Sequence, residues 1–212
     1  MSRGQKVITF ALWGLLFAAM AFVVAMKFWP RHKPADLPVL WPAAEFSLVD
    51  QDGKTFSSQN LRGRPWIAGY VFTNCAGLCP RLTAAMAQLQ KQIPADVHLV
   101  SFSVDPERDK PEVLKKYAAT FKADESRWHF LTGPKDQVVQ LVGDMKMPYG
   151  ESKNADEPIL HSDKLTLIDA DGNVREHYDS KDEEKLKKLV ADAKALSEDA
   201  RAAAGGGGGR KP

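Results

Sequence analysis

The chain has 212 residues, enough for one ordinary domain plus appendages, and 44% of them are hydrophobic, a share that supports a real core. Its 29 basic residues nearly balance 27 acidic ones, for a net charge of +2. With no basic stripe and no nucleic-acid motif, the sequence gives no footing to nucleic-acid binding.

From Val7 to Met26 runs a stretch of twenty uncharged, mostly apolar residues. A bilayer core of ~30 Å takes about 20 apolar residues as a helix, so the run is long enough to span. Ala19-Met20-Ala21 also fits the small-x-small pattern of a cleaved signal peptide, but the apolar run continues past it, which favours an uncleaved anchor. Arg3 and Lys6 before it, and Lys27, Arg31 and Lys33 after it, leave the orientation undecided by charge. Either reading puts the rest of the chain outside the cytoplasm. The expected layout is a membrane anchor over 1–28, a proline-rich linker over 29–41, an α/β domain over 42–200 and a flexible glycine-rich tail over 201–212.

Within the domain, Glu45 to Asp50 and Gln51 to Phe56 read as a hairpin about an Asp52-Gly53 turn. The apolar run from Trp66 to Phe72 reads as a buried strand. It leads into Thr73-Asn74-Cys75-Ala76-Gly77-Leu78-Cys79-Pro80, which holds both cysteines of the chain. A helix is expected from Pro80 to Gln90, because proline is at home in a first turn, where its missing N–H has no partner to lose. Val97 to Val104 reads as a second core strand, followed by a helix opened by Lys110-Pro111-Glu112. Trp128 to Gly133 reads as a short strand and Lys135 to Val142 as a helix. The polar segment from Gly143 to Pro158 reads as a loop. Lys164 to Asp169 and Val174 to Tyr178 bracket a second hairpin turn, and a charged helix from Lys181 to Glu198 closes the domain. Strands alternating with helices predict an α/β fold with a mixed central sheet flanked by helices, and cysteines on the loop between the first core strand and its helix suggest a thioredoxin-like arrangement.

Two thiols four residues apart on a strand-to-helix loop mark a reactive site. The helix N-terminus is expected to favour the thiolate, and the small Ala76-Gly77 pair to leave the sulfurs uncovered. A structural disulfide closing so short a loop gains little. A zinc site lacks further cysteines, and a disulfide oxidoreductase usually has two intervening residues. A soft-metal site completed by a histidine suits Cu(I). Spacing leaves the histidine open: His32 lies in the linker, His98 and His177 fall in strands with packing or surface explanations, and His129 in a strand with core or edge packing. His161 stands in a loop just before a core strand, slightly ahead of the others. Met145 and Met147 offer thioethers, with core packing as the commoner role. Asp105, ending a core strand, reads either as a turn residue or as a neighbour of the site.

Three elements in order carry a resemblance: Cys75-x-x-x-Cys79-Pro80, then Phe102-Ser103-Val104-Asp105-Pro106-Glu107-Arg108-Asp109 with Pro111, then a histidine before Leu167-Ile168-Asp169 and Asp171-Gly172. Over roughly residues 42 to 198 the chain resembles the Sco/SenC family of membrane-anchored, thioredoxin-like copper proteins. The resemblance implies a copper-binding chaperone, carrying Cu(I) and also Cu(II), that serves the dinuclear copper site of cytochrome c oxidase during assembly. Its ligands would be Cys75, Cys79 and His161. Its partners would be a copper donor, a copper-receiving oxidase subunit or another copper client, and the membrane through the N-terminal helix. The alternative is a tethered thiol-disulfide oxidoreductase cycling Cys75 and Cys79 on copper-site or other extracytoplasmic cysteines. Ala76 and Gly77 replace the proline and aspartate common in the family motif, which removes a carboxylate beside the thiols and loosens the loop.

Overall fold

The structure is a computed structural model, describing residues 13–15, 17–20, 35–75, 78–148, 150–154, 157–160 and 162–206. The chain divides into two compact units, Met1–Lys33 and Pro34–Pro212. In the first, residues 13–15 and 17–20 are helical. Among the described residues no helix is long and apolar enough to cross a membrane. The expected span falls for most of its length outside them.

The second unit is built on a mixed sheet. Its six strands among the described residues are β1 (Trp41–Pro42), β4 (Trp66–Val71), β5 (His98–Ser103), β6 (Trp128–Leu131), β9 (Lys164–Ile168) and β10 (Asn173–Asp179), in the order β1-β10-β9-β4-β5-β6. Strands β4, β5 and β6 are parallel, whereas β9 runs antiparallel to β4 and β10 antiparallel to β9. Every residue of β4 and β5 is buried, as expected of strands covered on both faces.

Helices α1 (Leu78–Leu89), α2 (Pro111–Thr120), α3 (Lys135–Asp144) and α4 (Glu183–Gly206) flank the sheet. The α1 residue Thr83 meets Tyr117 of α2 at 2.9 Å, and α1 and α4 share a groove lined by Ala85, Leu89, Leu186 and Val190. The hairpin of β2 (Ser47–Val49) and β3 (Thr55–Ser57) covers the other face. Its flanking residue Phe46 packs edge-on against Trp66 and Phe102, and α3 joins it through Leu141. At the centre of β4, Gly69 lets α1 come close: a Cβ there would stand 2.8 Å from the Met86 sulfur and 3.3 Å from Leu165.

Three expectations change. The polar segment from Gly143 is not simply a loop: α3 continues to Asp144, and β7 (Gly150–Asn154) pairs antiparallel with β8 (Glu157–Leu160). In sequence β7 is polar throughout and Pro158 interrupts the second run, so neither shows the apolar alternation that marks a half-buried strand. The last helix outruns its expected end and takes in 201–206 of the supposed tail. Alanine, the best helix former, fills 202–204, and Arg201 is bound to Asp96 at 2.6 Å. Trp41, read as the end of the linker, forms with Pro42 the edge strand β1 on β10. Upstream of it, the Ala35 N–H donates to Asp199 at 2.8 Å, and Arg175 donates to the carbonyls of Leu37 and Pro38.

Candidate metal centre

The cysteine loop begins where β4 leaves the sheet. The strand ends at Val71, and Pro80 falls in the first turn of the helix that follows, where its missing N–H costs no helix hydrogen bond. Helix α1 starts at Leu78, so Cys79 lies in its first turn, as the sequence predicted.

The sulfurs are more enclosed than predicted. Cys75 is 5% exposed and Cys79 0%, and neither is in a disulfide. The Phe72 N–H donates to the Cys79 sulfur at 3.3 Å, and the Cys79 N–H donates to the Cys75 sulfur at 3.4 Å. Thus each sulfur is addressed by a backbone donor. The expected thiolate is also corrected. Burial drives the Cys79 thiol well above its ordinary range, the Phe72 N–H opposes this, and the neighbouring Cys75 and Asp109 charges add to the rise. Desolvation outweighs the helix terminus because the side chain points into the packed interior rather than toward solvent.

Beneath the loop lies a polar network that the sequence reading passed over. Asp109 is fully buried. It accepts from the Thr73 N–H at 3.1 Å, the Thr73 hydroxyl at 2.5 Å and the Ser103 hydroxyl at 2.6 Å. Burial raises its carboxyl above the usual range while these donors pull it back. Asp105, the residue singled out in that stretch, instead forms an ion pair with Arg108 at 3.4 Å, and its N–H donates to Ser103. The only sequence signal for Asp109 was its membership of the Asp105-to-Asp109 motif. On the helix side, the Thr83 hydroxyl meets the Cys79 carbonyl at 2.8 Å and Tyr117 at 2.9 Å.

The remaining candidates separate cleanly. His98 is buried on β5, where the Arg64 guanidinium donates to its Nε2 at 2.9 Å. His129 lies between the Phe56 ring, 4.2 Å away, and His98, 6.0 Å away. His177 meets Thr166 at 2.9 Å. All three are packing residues, as predicted. Met145 and Met147 are buried, and the Met145 sulfur accepts from the Ala44 N–H at 3.4 Å, so the Met145 thioether is engaged within the core. His161 lies outside the described residues. Its neighbour Ser162 is buried and caps the Lys164 N–H, and β9 then pairs Thr166 with Ala68 of β4. With β9 antiparallel to β4, the start of β9 lies at the end of the sheet where β4 gives way to the cysteine loop. Among the described residues no group of three or more His, Cys, Asp or Glu is arranged to hold a metal, and His161 is not one of them.

What fold and site define together is a mixed α/β protein that carries two buried thiols, one on the loop after its central strand and one in the first turn of the helix that follows. The chain matches the SCO1/SenC family over residues 42–197, and it belongs to that family. It is 35% identical over 169 residues to the SCO1 protein homolog of Bacillus subtilis (strain 168), covering 76% of this chain and 85% of that protein. The structure of BsSco, described as a Sco-family cytochrome c oxidase assembly protein with a disulfide switch, superposes with a TM-score of 0.69. It is 33% identical, and the match covers 78% of this chain and 98% of BsSco. Copper-bound ScoI of Arabidopsis thaliana matches with a TM-score of 0.62 and 26% identity, over 71% of this chain and 96% of ScoI.

Proposed function

We propose that this chain is a copper-binding metallochaperone that delivers copper to the dinuclear copper site of cytochrome c oxidase during assembly. Cys75, Cys79 and His161 hold the ion. The observation that carries the reading is the pair of buried thiols one helical turn apart, each sulfur within reach of a backbone N–H. Thiolates are soft donors suited to Cu(I). Their burial makes a bare thiolate costly, whereas a cation between them offsets that cost, so metal binding and deprotonation go together. The copper-bound relative and the oxidase-assembly relative support the same reading. The ion is cargo, passed on by exchange of shared thiolates with a copper-receiving subunit after loading by a copper donor.

Residues 1–28 act as the membrane anchor and place the domain on the extracytoplasmic side. The apolar run of Val7 to Met26 is the support for this.

The test is copper titration of the reduced full chain beside its Cys75→Ala, Cys79→Ala and His161→Ala variants. The expected outcome is one copper per chain, with affinity reduced at least tenfold in each variant. Undiminished copper retention by all three variants would refute the ligand set. A wild-type chain that binds no copper, yet reduces a model disulfide, would shift the function to thiol-disulfide exchange.

A further inference from the structure

The Asp109 carboxylate is the point at which three separate stretches of chain meet beneath the thiols. Thr73, two residues before Cys75, gives it both its N–H and its hydroxyl, at 3.1 and 2.5 Å. Ser103, the last residue of β5, gives its hydroxyl at 2.6 Å and accepts the Asp105 N–H at 3.1 Å. Asp109 itself is fixed by its own N–H, which donates to the Asp105 carbonyl at 2.9 Å. A fully buried carboxylate is costly unless its lone pairs are filled, and here hydroxyl and amide donors fill them. The geometry next to it is what matters for the site. Successive amides diverge at the end of β4: the Phe72 N–H points to the Cys79 sulfur, and the Thr73 N–H points to Asp109. Fixing the Thr73 amide therefore fixes the peptide that follows Phe72, and with it the start of the loop that carries Cys75.

We infer that Asp109 is a positioning residue for the thiol pair: its carboxylate holds the strand-to-loop junction so that Cys75 and Cys79 stay in register with each other. It acts on the loop through Thr73, whose N–H and hydroxyl it holds. The inference rests on the reading of Cys75 and Cys79 as the working thiols, and it holds whichever of metal binding or thiol exchange they perform.

A positioned pair has a high effective concentration of one thiol at the other, and this is measured by the thiol–disulfide equilibrium. In a glutathione buffer the two thiols give up two electrons and two protons to form the Cys75–Cys79 disulfide, while one glutathione disulfide is reduced to two glutathiones. The full chain and its Asp109→Ala and Asp109→Asn variants are equilibrated at pH 7, alkylated and weighed by mass spectrometry, with urea unfolding of each in parallel. In Asp109→Ala the equilibrium constant for disulfide formation is expected to fall at least tenfold, a rise in potential of about 30 mV for a two-electron couple. Asp109→Asn, whose amide oxygen still accepts from Thr73, is expected to stay within about threefold of wild type. An Asp109→Ala protein that is less stable to urea but has an unchanged thiol equilibrium would overturn the inference and leave Asp109 a purely structural residue. If Asp109→Ala does not fold, Ser103→Ala removes one support of the carboxylate. A two- to threefold fall in the same constant supports the inference, and no change overturns it. Copper titration of wild type runs alongside: failure to bind copper defeats the chaperone reading alone, and the thiol equilibrium still decides Asp109.

Discussion

His98 shows how a single buried side chain imposes a pH limit on the whole domain. The Arg64 guanidinium donates to one ring nitrogen, and no partner is found for the other among the described residues. Burial first, then the Arg64 charge, lowers its pKa to about 4. The unfolded chain binds a proton near 6.5 that the native protein refuses. Stability is therefore full above pH 6.5 and is lost as pH falls toward 4, by about 3 kcal/mol at the limit. Urea unfolding at pH 7.5 and 5 measures this, and His98→Gln is expected to reduce the difference, leaving the part due to His129 and His177, which burial displaces in the same direction. The Cys79 thiol has the opposite displacement. Burial keeps it protonated across the working range, so copper must displace that proton. Apparent copper affinity is expected to rise about tenfold per pH unit for each proton displaced, read by competition with a chromophoric Cu(I) chelator between pH 6 and 8.

At the scale of elements, α2 and α3 end in the same way. The Ala123 N–H reaches back to Ala118 and Lys122 to Ala119; the Met147 N–H reaches Val142 and Lys146 reaches Gly143. These paired bonds close the helix ends, and they require a left-handed residue, here Lys122 at φ 54 and Lys146 at φ 59. A lysine there bears a Cβ penalty that glycine escapes. Lys122→Gly and Lys146→Gly are each expected to raise stability by about 0.5–1 kcal/mol, seen as a higher urea midpoint with an unchanged slope. Which elements were legible follows from the same local physics. The β4 run, the proline after Cys79 and the two Asp-Gly turns announce themselves because their signals are confined to neighbouring residues. The β7–β8 hairpin does not, since β7 is polar throughout and Pro158 breaks the short run that ends in Ile159 and Leu160. The overrun of α4 was hidden by reading Ala202 to Ala204 together with the glycines after them.

The whole molecule is held by contacts between positions far apart in sequence, which is why Asp109 and the burial of both thiols were not legible while the thiols themselves were. The segment 35–38 belongs to the same class. Arg175, 13% exposed in its side chain, pairs with Asp169 at 3.0 Å and with the carbonyls of Leu37 and Pro38. Asp169 also accepts the Asp171 and Asn173 N–H groups at 3.0 and 2.8 Å, which tie the β9–β10 turn. Removing the cation leaves a buried carboxylate without its ion-pair partner, so Arg175→Ala is expected to cost about 3 kcal/mol. It is also expected to release 35–38 from the domain, giving faster limited proteolysis N-terminal to Trp41. Equal cleavage rates in variant and wild type would show that this segment is held by other means.

The glycine at the centre of β4 gives up its side-chain place to the helix above it. Met86 rests where a side chain at position 69 would stand, and Cys79 lies seven residues nearer the helix start, roughly 10 Å along its axis. A Cβ added there would press on the end of a flexible thioether, so Met86 gives way before the helix does. The place left by the glycine is filled from across the gap by a yielding side chain, a soft wedge between the strand and the helix that carries Cys79.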